Sequence, residues 1–263
     1  MVDFTRKKSY SYEDLVAILR ILRAPDGCPW DRAQTHASNR RNFLEEAYEA
    51  AEAFDRDDPA LMCEELGDML MQVLFNIHIE EDAGRFTTDD VTTHICEKLI
   101  FRHPHIFSDA SADTSEQVLA NWDKLKREEK GQKTTADAMD SVARSLPALW
   151  RADKLQSKAA AQGFEFADLD GALAKLEEEV HELREAAANG TNAREELGDV
   201  LFAAAKVGRF LGADSEDALH ATCEKFIRRF RHVESVCAEK GADMHDVPLD
   251  ELTRLWDEAK DHR

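Results

Sequence analysis

Proline and glycine are scarce in this chain, at six and 11 of 263 residues. With breakers so few and Ala, Leu, Glu and Lys abundant, a mostly helical protein is expected. The five cysteines, Cys28, Cys63, Cys96, Cys223 and Cys237, include no C-x-x-C pair, so neither a zinc site nor a disulfide framework is implied. Reduced thiols and a cytoplasmic location follow from that usage. No apolar stretch reaches membrane-spanning length. The basic start M-V-D-F-T-R-K-K is followed by no apolar run, so a signal peptide is not expected. Basic residues are outnumbered, 34 Lys and Arg against 54 Asp and Glu, a net charge of −20. A broad binder of nucleic-acid backbone would need a basic face, so a nucleic-acid polymer is not the expected partner. A nucleotide substrate remains compatible, because bound cations would screen its phosphates.

What is abundant is acid in a repeated pattern. E-E-L-G-D occurs at 64–68 and again at 195–199. Each copy follows another acidic cluster, E-E-A-Y-E at 45–49 and E-E-V-H-E at 178–182. Residues three apart share a helix face. Glu46 with Glu49 and Glu65 with Asp68 are therefore carboxylate pairs on two helices. Glu179 with Glu182 and Glu196 with Asp199 repeat them. If the helices of each half pack antiparallel, the four carboxylates converge, and a divalent cation makes that tolerable.

Two more blocks extend the repeat in the same order. C-E-K-L-I-F-R-H-P-H at 96–105 answers C-E-K-F-I-R-R-F-R-H at 223–232, and W-D-K-L-K at 122–126 answers W-D-E-A-K at 256–260. Four ordered blocks point to duplication of a helical domain. The expected layout is a first domain over 1–131, a linker over 132–145 that is small, polar and aperiodic, and a second domain over 146–263. Helical periodicity falls at about 12–23, 39–56, 60–82, 88–101, 115–130, 147–161, 169–188, 191–211, 214–240 and 248–261. Ser11 fits the first N-cap and Thr88 or Asp89 a later one. The stretch from Pro25 to His36 reads either as a loop pinned by a buried Trp30 or as a substrate-facing loop. His103-Pro104-His105 reads as a helix-ending loop rather than a metal site.

Glutamates are common on solvated helix faces, and one cluster alone would mean little. Two clusters per half, with Asp at the same offset after a mid-helix Gly, fit metal binding better. Gly67 and Gly198 each cost about 1 kcal/mol relative to Ala, and close backbone packing beside the metal would keep them. An all-oxygen ligand set favours a hard cation, magnesium with manganese as a substitute. A di-iron centre would need Glu-x-x-His, which is absent. Lys98, Arg102 and Lys126, with their counterparts Lys225, Arg229 and Lys260, could neutralise phosphate charge. Trp122 and Trp256 offer either a stacking face for a base or filling for a core gap.

E-E-x-x-E followed by E-x-x-D resembles the signature of the all-α nucleoside triphosphate pyrophosphohydrolases. G-C-P-W-D-R-x-Q-T-H at 27–36, R-H-P-H-I-F at 102–107 and R-S-L-P-A-L at 144–149 resemble the tandem-domain MazG branch of that family. The resemblance spans nearly the whole chain. It implies an all-α fold of two tandem four-helix-bundle-like domains, dimerising through helices. The implied reaction is magnesium-dependent hydrolysis between the α and β phosphates, giving a monophosphate and pyrophosphate, with broad base tolerance and ATP among the nucleotides bound. It implies metal ligands Glu46, Glu49, Glu65 and Asp68, and Glu179, Glu182, Glu196 and Asp199. Nucleotide contacts carry over to Lys225, Arg229, Trp256 and Lys260. Glu45 and Glu178 would orient the site or position water. The second half keeps more of the phosphate-binding series, so it is expected to be the more active. The rival reading is a nucleotide-sensing regulatory or interaction protein in which one or both sites are non-catalytic.

Overall fold

The computed structural model describes residues 4–108 and 131–260, and between them positions 114, 117, 118, 122, 125, 126, 128 and 129. The helix expected over 115–130 falls largely outside the described residues. Those described form helices and no strand, in two compact units, Met1–Lys126 and Arg127–Arg263.

The first unit contains α1 (Tyr12–Arg23), α2 (Pro29–Ala33), α3 (His36–Asp55), α4 (Pro59–Asp82), α5 (Thr88–Arg102) and the short α6 (Pro104–Phe107). Caps set its boundaries. Ser11 closes a capping box with Asp14 at the start of α1, as its sequence suggests. Thr35 does the same with Ser38, so α3 starts three residues before the periodicity does. Thr87, rather than either neighbour expected, caps α5 through Asp90. The Asp58 carboxylate accepts from the Ala60 and Leu61 amides, and Pro59 opens α4, where its missing N–H costs nothing. The tight Arg56–Asp58 connection folds α3 and α4 into a hairpin. Val16 and Leu19 of α1 pack on Leu74, Phe75 and Ile77 of α4, making the core. The Pro25–His36 stretch is not pinned by a buried tryptophan: Trp30 is 60% exposed. It is held by Gly27, where a Cβ would collide with the Ile21 and Leu22 carbonyl oxygens, and by Arg23, which donates to the Asp31 carbonyl at 2.7 Å.

The second unit contains α7 (Thr135–Asp140), α8 (Ala148–Ala160), α9 (Leu169–Asn189), α10 (Ala193–Phe210), α11 (Ser215–Glu239) and α12 (Leu249–Glu258), with a 3₁₀ turn at Met244–Asp246. The stretch expected as an unstructured linker carries α7, capped by Thr134 and Asp137, and it packs on α8 with Ala138 fully buried. Alternating small residues had hidden its periodicity. Helices α9 and α10 form the second hairpin, turned by Gly190 at φ +65. Its seam is built from buried alanines, Ala172 and Ala186 on α9 and Ala203 and Ala205 on α10. Val233 and Cys237 of α11 pack on Leu255 of α12 in a separate cluster, which Trp256 borders.

Candidate metal centre

The two hairpins bring the repeated carboxylates together. In the first unit, oxygens of Glu46 and Glu49 on α3 and Glu65 on α4 all lie within 4.8 Å of one another. In the second, the group is Glu179 on α9 with Glu196 and Asp199 on α10, within the same limit. Asp68 and Glu182 stand at the edge of these groups. Asp68 raises the carboxyls of Glu46 and Glu65 by repulsion, and Glu182 feels Glu179 and Glu196. Each hairpin thus assembles three of the four expected ligands and keeps the fourth nearby, a different member in each half.

Crowding perturbs these acids. Burial raises the Glu46 carboxyl above its ordinary value, and Asp68, Glu49 and Glu65 push further in the same direction. Burial leads again at Glu65, followed by Glu49, Glu64 and Asp68. Glu182 is also raised, by burial and then by Glu179. Oxygens bound to one magnesium ion at 2.0–2.1 Å would lie no more than about 4.2 Å apart. The all-carboxylate donor set fits a hard divalent cation, which would relieve the repulsion and draw oxygens now within 4.8 Å of one another closer together.

The surroundings of the two groups differ. In the first unit the buried Asn39 donates to Gln72 Oε1 at 2.8 Å, and Gln72 Nε2 lies 3.5 Å from Glu46. Counted from the matching carboxylates, Glu46 and Glu65 against Glu179 and Glu196, Ala172 and Ala203 hold those two positions in the second unit. There a cavity of about 610 Å³ opens beside Glu179 and Asp199. Lys175, four residues before Glu179, reaches its carboxylate at 2.8 Å and Glu178 at 2.9 Å. These ion pairs raise the Lys175 ammonium pKa. Across the cavity Glu165 accepts from Lys206 at 2.8 Å and Arg209 at 2.7 Å. No motif in the sequence marks Glu165, Gln156 or Lys175; the i, i+4 spacing of Lys175 and Glu179 is the one local signal that could have found the lysine.

The other expected site residues have contacts of their own. Arg229 of α11 lies over the Trp256 ring, 5.7 Å from its centroid, and Phe226 meets the same ring at 5.0 Å. Lys260 pairs with Asp257 at 2.6 Å. Among the ion pairs of the described residues, none joins Lys225, Arg229 or Lys260 to Glu179, Glu196 or Asp199. In the first unit Arg102 is buried, Lys98 is half-buried on α5, and His103 lies 6.2 Å from the Trp122 ring. Glu45 is exposed, and Glu178 engages Lys175. Around the two glycines a Cβ would meet nothing within 4 Å. The close packing expected at Gly67 and Gly198 is therefore not found among the described residues. Among the described residues the histidines of 103–105 join no metal-binding group.

Two stretches, 34–107 and 169–234, match the MazG nucleotide pyrophosphohydrolase domain, one on each hairpin. The chain belongs to the MazG family of nucleotide pyrophosphohydrolases, with its domain present twice. It is 42% identical over 251 residues to the nucleoside triphosphate pyrophosphohydrolase of Escherichia coli K12, covering 94% of this chain and 95% of that protein. It is 39% identical over 249 residues to the nucleoside triphosphate pyrophosphohydrolase/pyrophosphatase MazG of Thermotoga maritima, covering 95% of each. A nucleoside triphosphate pyrophosphohydrolase of Mycobacterium tuberculosis matches at 40% over 152 residues, 57% of this chain and 45% of that protein.

Proposed function

We propose that this chain hydrolyses nucleoside triphosphates between the α and β phosphates, releasing a monophosphate and pyrophosphate, and that its second unit carries most of the activity. The observation behind this reading is the cluster of Glu179, Glu196 and Asp199 opening onto a cavity able to admit a small molecule. Glu182 completes that ligand set. In the first unit the set is Glu46, Glu49, Glu65 and Asp68. Magnesium, with manganese as a substitute, is the cation these oxygens suit; when bound it polarises phosphate oxygens and acidifies water.

The chain's own groups do the rest. Glu178 lies beside the ligand set, where its carboxylate orients the attacking water and takes its proton. Lys175 spreads positive charge between Glu178 and Glu179, and in the complex it turns to a phosphate oxygen. Lys225, Arg229 and Lys260 meet the remaining phosphate charge, with Arg229 held flat against Trp256. The water attacks the α-phosphorus in line, and pyrophosphate leaves. Glu45, Lys98, Arg102, Trp122 and Lys126 occupy the matching places in the first unit.

A homodimer fits the exposed face of each hairpin. Leu66 and Leu70 flank Gly67, Leu197 and Leu201 flank Gly198, and the four leucines are exposed. A second copy laid against this strip would find no side chain at the glycine. A cytoplasmic location fits the five free cysteines. Among the described residues no helix is long and apolar enough to cross a membrane.

The test is pyrophosphate release from a panel of triphosphates with magnesium, for the wild type, Glu179→Ala and Glu46→Ala. Loss of release in Glu179→Ala alone supports the reading. Loss in Glu46→Ala alone moves the activity to the first unit. No cleavage of any triphosphate with any divalent metal would leave nucleotide sensing as the function.

A further inference from the structure

The first hairpin carries a polar seam that the carboxylates alone do not explain. Asn39 is 3% exposed and Gln72 5%, and Asn39 Nδ2 donates to Gln72 Oε1 at 2.8 Å. That leaves Gln72 Nε2 aimed at Glu46 Oε1 in a long hydrogen bond of 3.5 Å. Glu46 sets the direction of both amides, because a carboxylate only accepts. Reversing Gln72 would set its oxygen against the carboxylate and strand the Asn39 donor. The seam runs on from there. Asn76 Nδ2 donates to the Gln72 carbonyl at 2.9 Å, and Asn76 Oδ1 lies 2.8 Å from His36 Nδ1. The other ring nitrogen of His36 bonds Glu80, which Arg85 also holds. His36 ends the 27–36 motif, so that motif is tied through the seam to a metal ligand. At the places of Asn39, Gln72, Asn76 and Glu80 the second hairpin has Ala172, Ala203, Val207 and Leu211, whose side chains form no hydrogen bonds. An apolar pair of the same shape would pack about as well as two bonded amides, so Asn39 and Gln72 call for a reason beyond packing.

We propose that Gln72, oriented by Asn39, is a positioning residue for the metal ligand Glu46, and that the first unit therefore holds its divalent cation more tightly than the second. This inference rests on the ligand sets proposed above. A donor on a ligating carboxylate fixes the carboxylate before the ion arrives, and removing such a partner weakens metal binding by about 10- to 100-fold. Glu179, the counterpart of Glu46, meets a competitor instead: Lys175 Nζ lies 2.8 Å from its oxygen, where an ion must displace or share it. A preset ligand in one unit and a competing cation in the other separate the two affinities in the same direction. The ion of the first unit is then a resident that needs no nucleotide, while the second site fills once triphosphate oxygens join its ligands.

The experiment titrates the full chain, free of nucleotide, with manganese and reads the unbound ion by electron paramagnetic resonance. Wild type, Glu46→Gln, Glu179→Gln, Gln72→Met and the double variant Asn39→Ala with Gln72→Ala are compared, each checked for folding by circular dichroism. The wild type should show two classes of site about tenfold apart or more. Glu46→Gln should abolish the tight class and Glu179→Gln the weak one. Gln72→Met, similar in length but without a donor, should weaken the tight class about tenfold and leave the weak class unchanged. The double variant, which strands no amide, should do the same even if Gln72→Met does not fold. Equal affinity of the two classes, or loss of the tight class in Glu179→Gln, would overturn the proposal. So would a lower melting temperature with unchanged manganese affinity in the folded Gln72 variants, the result a purely structural pair would give. Because the metal is read without nucleotide, a protein that shows this asymmetry but releases no pyrophosphate would retain this inference while refuting the proposed hydrolysis. Binding of no manganese by either unit would overturn the inference together with the ligand sets.

Discussion

Lys175 Nζ lies 2.8 Å from Glu179 Oε1, and the residue at the same offset before Glu46 is Asn42. The second carboxylate cluster therefore has a resident cation that the first has no residue to supply from that helical position. The ammonium shields Glu179 from its neighbours, and a divalent ion must share or displace it.

Replacing Lys175 by Gln should make the second unit more dependent on metal. The lysine side chain is 37% exposed, so water screens its ion pairs and they contribute little to stability. Without metal, the melting temperature should fall by about 2 °C. Magnesium should raise it by more in the variant than in the wild type. Thermal melts with and without magnesium check this, and equal gains would show that Lys175 does not shield the cluster.

The Asn39–Gln72 pair should show strong coupling. Asn39→Ala leaves Gln72 Oε1 buried without its donor and should destabilise by about 1–3 kcal/mol. Gln72→Ala strands the Asn39 amide in the same way. The double variant, which copies the alanine pair of the second unit, should be destabilised by clearly less than the sum. Urea unfolding in a double-mutant cycle measures the difference.

Acid should weaken the first unit through Glu80. Arg85 and His36 hydrogen-bond its carboxylate and hold the pKa at about 2, below the ordinary 4.5. A depressed acid stabilises the fold above its unfolded pKa, and that stability is lost as pH falls from 4.5 towards 2. Glu80→Gln should lower the urea midpoint at pH 5 and flatten its decline between pH 5 and pH 3. A decline as steep as that of the wild type would place the acid sensitivity elsewhere.

His78 should behave in the opposite way to a stabilising ion pair. It is buried on α4, neither ring nitrogen has a hydrogen bond, and Glu81 is no nearer than 3.8 Å. Burial lowers its pKa below 6.5. The unfolded chain then binds more protons than the native one just below pH 6.5, so stability falls as pH drops through that point. His78→Leu should stabilise by about 1 kcal/mol at pH 7, and by more at pH 5.5. Thermal melts at the two pH values would show the widening gap, and a constant gap would mean the ring is not titrating.

The hairpins and their ligands were legible because spacing alone determines which carboxylates share a helix face. Glu46 with Glu49 and Glu196 with Asp199 needed no tertiary information. Which fourth residue stays at the edge was not legible, since that depends on how each α-hairpin is packed. The asymmetry between halves was present in the sequence as Ala172 and Ala203 against Asn39 and Gln72. Small residues on a helix face read as packing, and only the structure shows an open cavity beside them. The helix at 135–140 was missed because its capping box, Thr134 and Asp137, lies in a run of small polar residues typical of linkers. Gln156 was invisible because its Nε2 donates to the Phe202 carbonyl, 46 residues away.

Gly67 and Gly198 each sit one turn or less from the ligands of their helix, with open space where a side chain would stand. A glycine in mid-helix loosens the backbone around it by about 1 kcal/mol relative to Ala. A glycine with open space around it thus stands in the turn of α4 and of α10 that carries the clustered carboxylates. A cage built on such a turn would conform to its ion instead of imposing a fixed radius, so ions of different size would be accommodated by small changes in helical pitch, with the α3–α4 and α9–α10 seams left undisturbed.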